Sequence, residues 1–207
     1  MRVSRPGAAT VTPAPLVVLV GHPRPGSRTH GIAGRAGHLL RSALAAERVA
    51  FPAPSTVDLA ELAPALLDRH SPDGAAQSAV RAVREASLLL VASPTFKGAY
   101  SGLLKVFLDL LPRDGLVTTI VVPLMTAGLP QHRTAVEHTL RPVLLELSAC
   151  LPTVGISVLE TELGRFDDVF AGWWARHGPA LGRAVLERTG SPGRRSADAG
   201  RGGSVAG

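Results

Sequence analysis

The sequence predicts an α/β fold, a parallel sheet between two layers of helices, on three observations. Short β-branched runs alternate with longer stretches of helical period. Runs such as Leu88-Leu89-Leu90-Val91 and Ile120-Val121-Val122 are apolar throughout, as strands buried on both faces are, rather than alternating. The chain of 207 residues accommodates five such strands around one core and leaves little length for a second domain.

Each element follows in order. Residues 1–15 are rich in Pro, Thr, Ala and Gly and read as a flexible tail. Leu16–Val20 is the first strand, and the turn from Gly21 leads into a helix over Thr29–Leu44. A weak strand near Thr56–Asp58 precedes a helix over Ala75–Glu85, the strand Leu88–Ala92 and a helix over Ser101–Leu111. The strand Thr118–Leu124, a helix over Arg133–Ala149 and the strand Thr153–Leu159 come next. The last helix, Asp167–Arg188, is expected to break at Gly178-Pro179. Residues 189–207, rich in Gly, Ser and Arg, make a second flexible tail, which leaves 16–188 as the folded domain.

Two helices say more than their existence. Around Ser101–Leu111 the apolar residues Leu103, Leu104, Val106, Phe107, Leu108, Leu110 and Leu111 cover an arc of about 200°, where one core needs about 100°. The surplus suggests a second buried surface, most simply a subunit interface; a helix wedged inside one chain is the alternative. Arg133–Ala149 carries Pro142 in its interior, and the carbonyl left without an N–H donor belongs to His138. A kink or wide turn at 138–142 follows, of the π type often found at functional sites, or else a bent helix with a satisfied histidine.

Composition removes several classes of function. Hydrophobic residues make up 45% and charged residues 18%, so the chain is not wholly disordered. The net charge of +6 resides mostly in the two tails, with Arg2 and Arg5 at one end and Arg194, Arg195 and Arg201 at the other. A nearly neutral folded part, in a chain with only 4% aromatic residues, argues against nucleic acid. The single cysteine, Cys150, excludes an internal disulfide and any multi-cysteine metal site, and its apolar neighbours suggest a buried thiol. His30, His70 and His177 lack ligand spacing to one another, and Trp173 and Trp174 read as core or interface residues. No apolar run spans a bilayer, and Leu16–Val20 is too short for a signal-peptide core, so a cytoplasmic location is expected.

The chemistry gathers in three loops that follow strands. His22-Pro23-Arg24-Pro25-Gly26-Ser27-Arg28-Thr29 enters a helix with two hydroxyls and two arginines, as an anion-binding helix N-terminus does. An ordinary turn capped by Ser27 or Thr29 uses the same residues. Gly21 and Gly26 have P-loop spacing, but Ser27-Arg28 stand where Lys and Ser or Thr belong; Gly31, Gly34 and Gly37 do not make a dinucleotide fingerprint. The second loop, Ser93-Pro94-Thr95-Phe96-Lys97-Gly98-Ala99-Tyr100-Ser101-Gly102, has glycines for close backbone approach and two aromatic rings to pack beside a flat ligand. The third, Met125-Thr126-Ala127-Gly128-Leu129-Pro130-Gln131-His132, is polar and glycine-bearing. All three fall at the carboxyl edge of a parallel sheet, where ligands bind, and one phosphate loop with two ring loops describes FMN.

These residues carry a resemblance. Gly21 to Arg24, Ser27 to Thr29, Ser93 to Gly98 and Tyr100 to Lys105 resemble the NAD(P)H-dependent FMN reductase family over about 16–160. Ser101–Pro112, Gly128–His132 and Leu140-Arg141-Pro142-Val143-Leu144 look like the FMN reductase of alkanesulfonate two-component monooxygenase systems. The resemblance implies a flavodoxin-like fold with strand order 2-1-3-4-5 and assembly as homodimers or homotetramers. It implies an enzyme that passes hydride from NADPH or NADH to FMN and supplies reduced flavin to a flavin-dependent monooxygenase. An FMN-retaining quinone or azo reductase and a non-catalytic flavin carrier remain alternatives on the same fold. Carried onto this chain, Arg24, Ser27, Arg28 and Thr29 hold the FMN phosphate, Pro94, Thr95, Phe96, Lys97 and Gly98 run beside the ring, and Thr126, Ala127 and Gly128 border it from the other side. The chain departs from its relatives at His138, where a tyrosine often sits on a π-helix near the flavin, and at His22, where a small hydroxyl residue is common.

Overall fold

The computed structural model describes residues 15–67 and 74–189. The two expected tails, apart from Pro15 and Thr189, lie outside the described residues, as does His70. Strands β1 (Leu16–Val20), β2 (Ser55–Asp58), β3 (Leu88–Pro94), β4 (Ile120–Ala127) and β5 (Ile156–Leu159) form one parallel sheet in the order β2-β1-β3-β4-β5. Every residue of β1, β3 and β4 is buried, which is what their unbroken apolar sequences require of central strands.

Alternation along the strands divides the core in two. Val17, Leu19, Leu89, Val91, Val121 and Met125 point to one face, covered by helices α2 (Leu59–Leu67), α3 (Ala75–Glu85), α4 (Gly102–Leu108) and α5 (Arg141–Glu146). Leu16, Val18, Leu88, Leu90, Val122 and Leu124 point to the other, covered by α1 (Arg28–Ala46) and α6 (Phe166–Thr189). Helix α1 buries Ala33, Ala36, Leu40 and Leu44, one stripe at helical spacing. No helix among the described residues is long and apolar enough to cross a membrane.

Several boundaries differ from the sequence reading, each for a physical reason. Helix α2 was not foreseen: it carries Pro64 in its interior, yet it starts where Asp58 Oδ1 accepts the Ala60 N–H at 3.0 Å and packs Leu59 and Leu66 inward. Strand β4 starts later than expected and runs on to Ala127, and β3 runs on to Pro94, because Pro94 pairs in register with Thr126. Strand β5 begins at Ile156 rather than Thr153. Helix α4 spans Gly102–Leu108, shorter than expected, with Ser101 as its cap; Leu103 and Val106 are half-buried against the chain's own core and Leu110 is exposed.

The expected helix over Arg133–Ala149 is a composite. A π-helical turn at Val136–Leu140 contains His138 and passes directly into α5, whose second residue is Pro142. The wide turn absorbs the N–H that Pro142 lacks. Helix α6, by contrast, runs unbroken through Gly178-Pro179. Phe170 and Trp173 before the proline and Leu181 and Val185 after it are buried in the same core, so packing holds both halves on one axis. Trp173 also donates its indole N–H to the Val154 carbonyl at 3.1 Å, and Trp174 stacks on Phe170. Cys150 is a free thiol and only half-buried.

The end of β1 is held very closely to α4. Ser101 caps α4 by accepting the Leu104 N–H, and its hydroxyl donates to the Gly21 carbonyl. A side chain at Gly21 has no room, since its Cβ would stand 2.7 Å from Leu104 Cβ. Gly21→Ala is expected to destabilise the protein by about 1–3 kcal/mol, seen as a lower urea midpoint with an unchanged slope.

Candidate functional site

The three loops meet at the carboxyl edge of the sheet and enclose a cavity of about 350 Å³, within the range of small-molecule sites. The first wall is the turn between β1 and α1. Ser27 caps α1, its hydroxyl accepting the His30 N–H at 3.1 Å. The amides of Arg28 and Thr29, in the first turn, have no partner inside the helix and point out of its positive end. Thr29 is buried, and its hydroxyl lies 2.8 Å from that of Thr126, which ties the start of α1 to the end of β4.

His22 stiffens this turn. It is 6% exposed, its Nδ1 accepts the Arg24 N–H at 3.0 Å, and its ring meets Phe96 edge-on at 5.8 Å. Burial holds its pKa below the ordinary value, with the Arg24 and Arg28 charges acting in the same direction. The bond from Arg24 itself requires an unprotonated Nδ1.

The second wall is the chain after β3. Thr95 donates its N–H to the Thr126 carbonyl at 2.7 Å. Phe96 and Ala99 then exchange backbone hydrogen bonds at 2.8 and 3.1 Å, closing a two-residue turn. Its central residues, Lys97 (φ 54°) and Gly98 (φ 83°), are both left-handed, the geometry that a primed hairpin turn demands. Ser93 accepts the Ser101 N–H at 2.9 Å and so closes the far side of the loop.

Of the residues singled out in the sequence, Arg24, Ser27, Arg28, Thr29, Pro94, Thr95, Phe96, Thr126 and Gly128 line the cavity. Lys97, Gly98 and Ala127 do not: the first two form the turn beyond Phe96, and Ala127 is buried as the last residue of β4. His138 is exposed on its π-helical turn and is not part of the cavity lining. The neighbouring Glu137 accepts the Gly155 N–H at 2.5 Å.

The sequence reading missed Glu160 and Leu163, which reach the cavity from the 3₁₀ turn Glu160–Arg165 after β5. That loop holds Thr161 and Gly164, but neither lines the cavity, and only its place at the end of a strand marks it. Glu162 fixes the turn, accepting the Leu159 N–H at 3.0 Å and a hydrogen bond from Arg133 at 2.6 Å, and the Arg133 bond holds its carboxyl below the usual range.

The residues present suit a phosphorylated, flat ligand. A helix N-terminus with Arg24 and Arg28 offers an anion site, and the buried Thr95 hydroxyl has no hydrogen-bond partner in the protein. Thr95 lines the cavity, but its hydroxyl oxygen is itself buried, and Thr119, Thr153 and Ser157 carry equally unpartnered hydroxyls away from the cavity, so the anion site and not this hydroxyl marks the ligand.

Strand order and the placement of the cavity define a flavodoxin-like protein. The chain belongs to the NADPH-dependent FMN reductase family, whose model matches residues 15–162. It is 48% identical over 67 residues, 32% of the chain, to an FMN reductase (NADPH) of Escherichia coli (strain K12), and spans about a third of that protein's length (35%). It is 32% identical over 135 residues to the NADH-dependent FMN reductase SfnE of Pseudomonas putida, covering 64% of this chain and 73% of SfnE. Among solved structures, the apo form of an NADH:FMN oxidoreductase superimposes with a TM-score of 0.70 at 27% identity, over 86% of this chain and 92% of that one.

The depressed pKa of His22 has a consequence for stability. The unfolded chain takes up the proton near the ordinary value of 6.5, before the folded protein does, so the stability owed to neutral His22 is complete above that pH and is lost as pH falls through the lower folded value. In His22→Asn the Oδ1 accepts the Arg24 N–H without titrating. Melting temperatures between about pH 7 and pH 5 are expected to fall more steeply for the wild type than for this variant; parallel profiles would contradict the role given to His22.

Proposed function

We propose that the protein is an NAD(P)H-dependent FMN reductase, passing hydride from NADPH or NADH to FMN and supplying reduced flavin to a partner monooxygenase. The observation that carries this reading is the convergence on one cavity of the turn that opens α1, with Arg24 and Arg28, and the chain after β3 that leads into a tight turn. The names of the relatives support the reductase, and the likeness of 101–112, 128–132 and 140–144 to the FMN reductase of alkanesulfonate two-component systems supports the monooxygenase partner.

In this reading Arg24 and Arg28, the Ser27 and Thr29 hydroxyls and the amides opening α1 bind the phosphate. Pro94, Thr95 and Phe96 orient one side of the isoalloxazine ring, with the Lys97-Gly98 turn holding that strand end in place, and Thr126 and Gly128 orient the other. Bound there, FMN supplies the hydride-accepting ring itself, so the protein needs no general acid or base and contributes position and exclusion of water. Assembly as a homodimer or homotetramer, as the resemblance implies, would cover the exposed Leu110 and the outer faces of Leu103 and Val106.

Oxidation of NADPH and NADH by the purified protein, with and without micromolar free FMN, tests the reading. The expected result is turnover that requires added FMN and saturates with it. Flavin binding without oxidation of either nucleotide would replace the reductase by a flavin carrier, and tightly retained FMN with quinone turnover would favour a quinone reductase.

A further inference from the structure

The flavin reading leaves one cavity residue without a part. Glu160 is the single carboxylate among the residues lining the cavity, opposed there by Arg24, Arg28 and the positive end of α1. Its Oε1 accepts a hydrogen bond from Arg28 Nη2 at 3.0 Å. The neighbouring arginines are engaged elsewhere: Arg133 and Arg165 bond Glu162, and Arg35 forms a two-pronged pair with Asp167. Arg28 is therefore the cation with which Glu160 pairs, and it is the same cation that stands at the anion-binding helix end.

Exposure decides which contact prevails. The side chains of Arg28 and Glu160 are 68% and 47% exposed, and an ion pair so open to water is weakly held. A phosphate monoester carrying nearly two charges, seated on the α1 amides as well, outcompetes one carboxylate for Arg28. The displaced carboxylate stays at the cavity mouth, because the turn that carries it is pinned by Glu162 to Leu159 and Arg133. From there it repels the phosphate.

Resting on the flavin-site reading, we propose that Glu160 is a specificity-determining residue that sets how firmly the flavin phosphate is held. It occupies Arg28 in the free protein and repels the dianion in the complex, so that FMN exchanges with solution instead of remaining as a resident group. A reductase that hands its flavin to another enzyme needs this weak hold.

The test compares the wild type with Glu160→Gln, titrating each with FMN and with riboflavin and reading dissociation constants from flavin fluorescence at low salt and at about 0.2 M salt. Glutamine keeps the shape and removes the charge, and an exposed site tolerates the change; equal melting temperatures confirm that. The expected result is FMN binding roughly three- to tenfold tighter in the variant at low salt, a smaller gain at high salt, and riboflavin affinity unchanged within about twofold. Unchanged or weaker FMN binding, or equal tightening for riboflavin, would overturn the inference while leaving the flavin site standing. Failure of the wild type to bind FMN at all would overturn the flavin-site reading and the inference with it.

Discussion

The crevice between β1 and β3 governs everything else in this molecule. These two strands are neighbours, yet the chain leaves β1 toward the α1 and α6 face and leaves β3 toward the α4 face. Loops that depart in opposite directions cannot fill the space between them, and an open parallel sheet is left with a cleft at that point. Close packing keeps the cleft narrow: Ser101 bridges Gly21 to α4, and Ser93 holds Ser101. The turn after β1 and the turn after β3 therefore face one another because of strand order, and their side chains only refine the result.

Charge at this edge is arranged around the same cleft. The α1 N-terminus, Arg24 and Arg28 favour an anion, while Glu160 opposes it. Two ion pairs outside the cavity, Arg133 with Glu162 and Arg35 with Asp167, fasten the chain after β5 to its surroundings. These exposed or partly exposed pairs add little to overall stability; their effect is to place the turn bearing Glu160 and Leu163. His22 remains neutral among the arginines and joins the two main loops through its bond to Arg24 and its contact with Phe96.

Much of this was legible in the residues. The unbroken apolar runs of β1, β3 and β4 identify central strands because burial on both faces leaves no polar position. Pro142 announces the wide turn around His138, since a missing N–H must be absorbed somewhere. The cavity residues from the first two loops were legible because hydroxyls and arginines where a helix begins, and an aromatic beside glycine after a buried strand, suit an anion and a flat ring, although an ordinary capped turn uses some of the same residues. What local sequence could not show depends on distant packing. Gly178-Pro179 reads as a break and the stretch around Pro64 was not read as a helix at all, but tertiary contacts hold both helices together. The extension of β3 and β4 to Pro94 and Ala127 comes from pairing between strands, which no window of sequence contains. Glu160 was invisible for the same reason: its meaning arises only when β5 brings it to Arg28, 132 residues away.

A crystal structure of the protein soaked with FMN addresses the central claim most directly, because it locates the phosphate and the ring separately. Phosphate density at the Arg28 and Thr29 amides, with the ring against Pro94, Thr95 and Phe96, is the expected result. Flavin seated elsewhere on the protein, or this cavity empty at saturating FMN, would contradict it.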